Sequence, residues 1–312
     1  VVNGYAAGRL RPLIQFTSAR HRQMRQMREE LGDLKRRLEE RKLVDRAKGI
    51  LMSARQISED EAFRLLRSAS MHAKLRIGQV SQQVIDSAHY AEAINRAGRL
   101  RMLSQRIVKL YALAAAGVEV AGSRALLADS VTQVDQSLSV LARSLSQPTF
   151  GDLLGAVQGT WATVQAGLGG LPVSSRTAVL DREADRLLEL SDRLTQALEN
   201  AGLTPSLHVI NVSGRQRMLV QRLAKLALLR SGPAIAPAEP LPVDLAPTAE
   251  AFERGLAYLH EIPLSTPLIR EGLARAEATW RDMLAAVRAG AQQGARITLA
   301  ASSESLLELF DA

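Results

Sequence analysis

The chain has 312 residues, no cysteine, 4% aromatic residues and a formal net charge of +8 at pH 7. This length predicts two or more domains with sizeable cores, and the absence of cysteine excludes a disulfide scaffold and a thiolate nucleophile. No apolar run approaches the roughly 18–20 residues of a membrane-spanning helix, so we expect a cytoplasmic protein with no membrane contact. Long stretches without Gly or Pro, rich in Ala, Leu and Arg, predict an all-α fold.

The charge is unevenly distributed along the chain. Residues 1–88 carry 18 Lys and Arg against 10 Asp and Glu, whereas residues 89–312 carry 22 of each kind. The whole basic excess therefore lies in the first quarter. This asymmetry predicts a nucleic-acid or other anionic partner for the first part and a neutral domain after it.

The first segment, residues 1–17, is too short to fold alone. Residues 1–16 (VVNGYAAGRLRPLIQF) predict a loop that leads into a short amphipathic helix. The segment resembles the end of a response-regulator receiver domain, without the acidic pocket and phosphoacceptor. The chain begins at Val1, which leaves open whether another segment precedes it.

Residues 18–39 predict a coiled-coil linker. The apolar residues alternate at spacings of three and four, as the core positions of a coiled coil do; they are Met24, Met27, Leu31, Leu34 and Leu38. This seam would assist formation of a homodimer. The alternative is a helix that packs on its own domain.

Residues 40–88 have the pattern of three short helices. The first presents an apolar face made of Leu43, Ala47, Ile50 and Leu51. Ser58 and Glu61 form a capping box that begins the second helix. The second helix continues with Ala62, Leu65, Leu66 and Ala69, and a third helix is expected over residues 77–88.

Residues 40–71 (ERKLVDRAKGILMSARQISEDEAFRLLRSASM) resemble an ANTAR domain. The resemblance implies a module that binds paired stem-loops in leader RNA, prevents a terminator hairpin and has no DNA target. We expect four basic residues to face RNA phosphates, namely Arg46, Lys48, Arg67 and Lys74. Phe63 either stacks on a loop base or belongs to the core.

From residue 89 onward the pattern predicts eight long helices. They lie near 89–116, 122–146, 150–168, 176–201, 205–230, 247–262, 266–290 and 293–311, with breaks at Pro and Gly positions. The order predicts two four-helix bundles related by a pseudo-twofold axis, about 89–204 and 205–312.

Each of these halves opens with a copy of one motif. Residues 94–113 read INRAGRLRMLSQRIVKLYAL, and residues 210–229 read INVSGRQRMLVQRLAKLALL. A structural helix needs only its apolar stripe to recur, so repeated glycine and arginines indicate a binding site built from two halves. Buried Arg101 and Arg217 would require an anion, and their planar forks suit a small planar oxyanion. The alternative is that they pair with protein carboxylates such as Asp185 or Glu189.

The repeated motif resembles the P-box of nitrate and nitrite sensors, and the helix order is similar to the NIT and PilJ-like sensor families. The resemblance implies nitrate or nitrite clamped between the two motif helices, without a further cofactor. It assigns ligand contact to Arg101, Arg217, Gly98, Gly214, Met102 and Met218. It assigns supporting positions to Arg106, Arg222, Asn95 and Asn211.

No enzymatic pattern is present. The five histidines are scattered without metal-ligand spacing, and no phosphate-binding loop or nucleophile motif occurs. We therefore expect a non-enzymatic nitrate- or nitrite-responsive antitermination regulator. The alternatives are a helical scaffold that binds a protein partner, or a truncated product that keeps the sensor fold without regulated output.

Overall fold

A computed structural model describes residues 7–202, 205–230, 235–236, 239–262 and 266–311, with side chains from residue 14 onward except at position 205. Within these residues the chain forms ten α-helices and no strand, which confirms the all-α prediction. The helices are α1 (Ala7–Arg55), α2 (Glu59–Ala73), α3 (Ile77–Ala115), α4 (Val120–Ser144), α5 (Gln147–Gly167), α6 (Ser174–Gly202), α7 (Pro205–Leu229), α8 (Ala246–Glu261), α9 (Pro267–Ala289) and α10 (Gln293–Asp311). None of these described helices is long and apolar enough to cross a membrane.

The chain divides into two compact units, Val1–Ala88 and His89–Ala312. In the first unit, α1 is one helix of 49 residues, although the sequence predicted a loop, a linker helix and a separate domain helix. The first six residues of the predicted loop lie outside the described residues. A small core joins residues of α1, α2 and the first part of α3: Ala47, Leu66, Val80 and Ile85.

Helix α2 begins at the predicted capping box. The Ser58 hydroxyl accepts from the backbone N–H of Glu61, whose carboxylate accepts from the backbone N–H of Ser58. The predicted apolar face is wrong in part, because Leu65 and Ala69 are exposed while Ala62 and Leu66 are buried. Only one narrow side of α2 is therefore covered within this unit.

The two helices predicted over residues 77–88 and 89–116, one continuing almost directly into the other, are a single helix. Helix α3 runs without interruption from Ile77 to Ala115, so it begins in the first unit and ends in the second. No glycine or proline lies between Gly78 and Gly98, and nothing in that stretch stops a helix.

The second unit contains the end of α3 followed by α4–α10, close to the eight predicted helices. Buried residues from all eight helices belong to one hydrophobic cluster, so the two predicted halves share a core. Its centre includes α3 from Leu100 to Tyr111 and α7 from Gln216 to Gln221, where every residue is buried.

Candidate anion site between the repeated helices

The repeated motifs lie on α3 and α7, which we call the motif helices. A helix buried on all sides is normally apolar, and each cation that it carries into the core must be paired. These two helices nevertheless carry buried Arg101, Lys109, Arg217 and Lys225. The partners of these cations define the candidate site.

Arg101 is fully buried and links α3 to two other helices. Its Nη1 donates to Oδ1 of Asp192 on α6 at 2.5 Å. Its Nη2 donates to Oδ1 of Asn211 on α7 at 2.8 Å. One guanidinium thus joins the two motif helices to the last helix of the first half.

Arg217 makes the equivalent contacts in the second half. Its Nη1 donates to Oδ1 of Asp311 on α10. Its Nη2 donates to Oδ1 of Asn95 on α3 at 2.6 Å. Each motif helix therefore gives its arginine to the asparagine of the other, as a pseudo-twofold axis between them requires.

The motif glycines lie beside these guanidinium groups, and the approach is tight at Gly98. A Cβ atom on Gly98 would lie 3.1 Å from Nη2 of Arg101 on the same helix. A Cβ atom on Gly214 would lie 3.4 Å from Nη2 of Arg217 and 3.5 Å from Nη2 of Arg101. The groups that approach the glycines are the motif's own arginines, and both of them meet at Gly214.

Burial and like charge act together on this cluster. Burial lowers the pKa of Arg101, the hydrogen bond and charge of Asp192 oppose that shift, and Arg215 and Arg217 lower the pKa further. Burial would raise the pKa of Asp192, but Arg101 and Arg215 outweigh it and hold that pKa below its ordinary value. The ionised carboxylate thus keeps the arginines together.

One donor on each arginine is left over. The Nε atoms of Arg101 and Arg217 are buried and have no hydrogen-bond partner. Leaving a buried donor unsatisfied costs roughly 1–3 kcal/mol. These two Nε–H groups are the donors of the arginine pair that the protein's own acceptors leave unpaired.

The alternative prediction, that the motif arginines pair with protein carboxylates, agrees with the structure, but the carboxylates are not the two that the sequence suggested. The motif arginines pair with Asp192 and Asp311, whereas Asp185 accepts hydrogen bonds from Gln105 and Lys225. Glu189 is exposed. Protein carboxylates therefore supply the negative charge that the buried arginines require.

A second buried group surrounds Lys109, two helical turns beyond Arg101 on α3. Its Nζ donates to Oε1 of Glu304 at 2.5 Å and to Oγ of Ser303 at 2.9 Å. Arg106 donates to the same Glu304 carboxylate and to Oγ of Ser130. Burial lowers the pKa of Lys109 to about 8, against the attraction of Glu304.

Lys225 occupies the equivalent position on α7. Its Nζ lies 2.5 Å from Oδ1 of Asp181 and 2.7 Å from Oδ1 of Asp185. Because Asp185 also accepts from Nε2 of Gln105, this α6 carboxylate connects both motif helices.

The sequence analysis did not single out Asp192 and Asp311, although a second repeat marks them. Residues 187–192 read LLELSD and residues 306–311 read LLELFD. The last residue of each copy is the aspartate that binds a motif arginine. Comparing the last helices of the two halves would have revealed both.

The other predicted residues of the second unit lie nearby but have different roles. Met102 and Met218 belong to the hydrophobic cluster. Arg222, the counterpart of Arg106, has no ion pair among the described residues, and its Nε is buried without a partner. No group of three or more His, Asp or Glu residues in the described part of the chain could hold a metal ion.

The predicted RNA-facing residues divide into two groups. Phe63 on α2 is 42% exposed, and Arg67, one turn later, and Lys74, just after the helix, are exposed as well. Arg46 on α1 is also exposed. Phe63 thus lies outside the core, on an aromatic and basic face of α2.

Lys48 differs from these residues, because its ammonium is already paired with Asp45 at 2.8 Å and Glu59 at 2.7 Å.

Two family models match the chain. Residues 32–85 match the model described as "ANTAR domain", so the chain contains an ANTAR domain. Residues 86–194 and 199–306 match the model described as "Type IV pili methyl-accepting chemotaxis transducer N-term". The double match coincides with the two halves that carry the repeated motif.

The curated relatives are similar over a shorter stretch. The chain is 31% identical over 87 residues to the "Transcriptional regulatory protein PdtaR" of Mycobacterium tuberculosis, strains CDC 1551 / Oshkosh and ATCC 25618 / H37Rv. The match covers 28% of this chain and 42% of each relative. No solved structure matches the chain.

Proposed function

The chain belongs to the Type IV pili methyl-accepting chemotaxis transducer N-term family, and from that premise we propose that it is a nitrate- or nitrite-responsive antitermination regulator. In this proposal the ANTAR domain binds stem-loops of leader RNA, and an anion between the motif helices controls that binding. The protein acts in the cytoplasm, without catalysis of its own.

The observation that carries the anion site is the symmetric pair Arg101 and Arg217. Both are buried, both donate to the other helix's asparagine, and both keep a buried Nε–H without a partner. Nitrate is planar and carries three acceptor oxygens, so it can receive hydrogen bonds from two guanidinium groups at once.

Titration calorimetry with nitrate tests this site. Arg101→Lys and Arg217→Lys keep the positive charge but lose the planar fork, so we expect each to weaken nitrate binding at least tenfold. Arg186→Lys changes an exposed arginine of α6 in the same way and should bind like the wild type. Folded Lys variants that keep full affinity would exclude the two-arginine clamp.

RNA binding is supported by the exposed face of α2. An aromatic ring can stack on an unpaired base while neighbouring cations bind phosphates, and Phe63 and Arg67 are one helical turn apart. We expect Phe63→Ala and Arg67→Ala to weaken binding of a leader stem-loop, and affinity to fall steeply with salt. Arg143→Ala, an exposed arginine of α4, is the matched control. Salt-independent binding, or equal loss in the control, would favour a protein-binding scaffold.

A homodimer through α1 is part of the proposal. The residues of the predicted seam are 46–63% exposed in the single chain; they are Met24, Met27, Leu31, Leu34 and Leu38. Pairing two such helices would remove these apolar side chains from water. Sedimentation of the wild type and of Leu31→Glu/Leu34→Glu tests it, with the charged variant expected to be monomeric.

Coupling between the sites runs through α3 in this proposal, because that helix supplies residues to both units. The anion must bind one arrangement of α3 and α7 more tightly than the other, since equal affinity for both would shift nothing.

A further inference from the structure

The arginine cluster is already balanced in charge by its own protein groups. Arg101 and Arg215 bind Asp192, and Asn211 connects Arg101 to Glu199, which also pairs with His208. Arg217 binds Asp311 in a neighbouring group, so three arginines stand against three carboxylates. An added anion would give this cluster an excess negative charge in a largely buried setting, which is costly.

The paired groups differ in their exposure. The side chain of Arg101 is 0% exposed and that of Arg217 is 6% exposed, whereas Asp192 is 40% and Asp311 37% exposed. The carboxylates thus lie on the solvent side of the arginines. A small rotation would return either of them to water, while the arginines have no such route.

We infer that Asp192 and Asp311 are internal competitors of the anion. Resting on the proposed anion site, this assigns to them the regulation of its affinity: the incoming anion takes the Nη1 hydrogen bonds that the two aspartates hold. The anion replaces the carboxylates instead of adding to them, so the buried cluster gains no excess negative charge.

Displacement has a structural consequence in α6 and at the end of α10. Asp192 ties the middle of α6 to both motif helices through Arg101 and Arg215. Asp311 is the last residue of α10 and ties it to α7. When the anion takes their place, α6 around Asp192 and the end of α10 lose these ties, so binding loosens two helices while it joins α3 and α7.

The test is nitrate titration of the full chain carrying Asp192→Asn and Asp311→Asn together. Asparagine keeps the shape and an acceptor oxygen but removes the charge, so we expect about tenfold tighter nitrate binding, given the partial exposure of both sites. Glu189→Gln with Glu308→Gln is the matched control. These exposed carboxylates precede each aspartate by three residues on the same helices, and the control should bind like the wild type.

The outcomes separate this inference from the anion site itself. If the wild type binds nitrate and the Asn variant binds equally or more weakly, the competitor role is excluded and the anion site stands. If only the Asn variant binds, the competitor role is supported and nitrate sensing by the native protein is excluded. If neither folded protein binds, both fail.

Amide hydrogen exchange gives an independent readout on the wild type. Nitrate should accelerate exchange in the turns of α6 around Asp192 and in the last turn of α10, and leave α4 unchanged. In the Asn variant nitrate should have no such effect, because the ties are already weakened. Slower exchange in those turns of the wild type would overturn the displacement.

Discussion

The two halves of the second unit place a buried lysine at the same position of their motif helices but neutralise it differently. Lys109 shares the single carboxylate of Glu304 with Arg106. Lys225 has two aspartates of α6. Lys109 and Arg106 thus share one close carboxylate, with Asp129 a further 3.9 Å partner of Arg106, whereas Lys225 has two close carboxylates of its own.

The difference traces to one position in the last helix of each half. Residues of α6 and α10 correspond at a spacing of 119, so Asp185 corresponds to Glu304 and Asp181 to Ala300. Duplication kept the buried cations, whereas one acidic residue is present in α6 only. The second carboxylate makes Lys225 tolerant of losing either partner, and Lys109 has no comparable reserve.

Removing each carboxylate should therefore have unequal effects. Glu304→Gln leaves Lys109 without a carboxylate and Arg106 with only the distant Asp129, at 3.9 Å, and should cost about 3–5 kcal/mol of unfolding free energy. Asp185→Asn leaves Asp181 on Lys225 and should cost about 1 kcal/mol. Urea denaturation followed by circular dichroism measures both. Equal losses would mean that the number of carboxylates does not matter here.

Low pH should destabilise the protein through the same carboxylate, Glu304. Burial would raise the pKa of Glu304, but Lys109 and Arg106 outweigh it and lower the pKa from 4.5 to about 2. The ionised carboxylate therefore contributes stability above pH 4.5, and this contribution, roughly 3 kcal/mol, is lost as the pH falls toward 2. Urea unfolding of the wild type and Glu304→Gln over this range checks it. Parallel curves would contradict the assignment.

The tryptophans of the two halves test a feature that duplication preserved. Nε1 of Trp161 donates to Asp135 at 2.7 Å, and Nε1 of Trp280 donates to Glu253 at 3.2 Å. Replacing either by Phe removes one hydrogen bond, for a cost of about 1–2 kcal/mol. The cost should be smaller at Trp280, whose bond is longer and whose site keeps the stacked Phe252. A larger loss of thermal stability at Trp280 than at Trp161 would show that the lost ring volume, and not the hydrogen bond, determines the cost.

The smallest expected effect distinguishes the motif glycines. Alanine gains about 0.5–1 kcal/mol over glycine within a helix. At Gly214 the added Cβ finds ordinary contacts at 3.4 and 3.5 Å, so Gly214→Ala should show most of that gain. At Gly98 the added Cβ would press on Nη2 of Arg101 at 3.1 Å, so Gly98→Ala should lose much of this gain in stability. Equal unfolding free energies would mean that Arg101 moves freely.

The helices of the second unit could be read from the chain almost to their ends. Pro148, Pro205 and Pro267 each lie at or near the start of a helix, and the apolar periodicity fills the intervals between breaks. The sequence divided α3 into two helices that continue almost directly into one another, because the basic and neutral regions meet at residue 88, but a change of composition does not end a helix. A helix stops where the backbone loses its hydrogen bonds, and nothing near 88 removes them.

The duplicated arginines, glycines and asparagines were likewise evident from the sequence, but not the partner of each cation. Helix α6 offers four acidic residues that project within about 80° of one another around the helix: Asp181, Asp185, Glu189 and Asp192. The helical periodicity places all four carboxylates on nearly the same side of α6, so it cannot show which of them pairs with which cation.

The sequence by itself determined an all-α chain with a basic first part, a duplicated second part and two motif helices rich in arginine, because composition, charge and repeats are local properties. Only the tertiary structure decided that Asp192 binds Arg101, that Asp181 and Asp185 bind Lys225, and that Glu189 stays in water. The physical reason is that pairing depends on how α6 is set along and around the motif helices. That setting comes from the packing of one shared core, to which residues from eight helices contribute together.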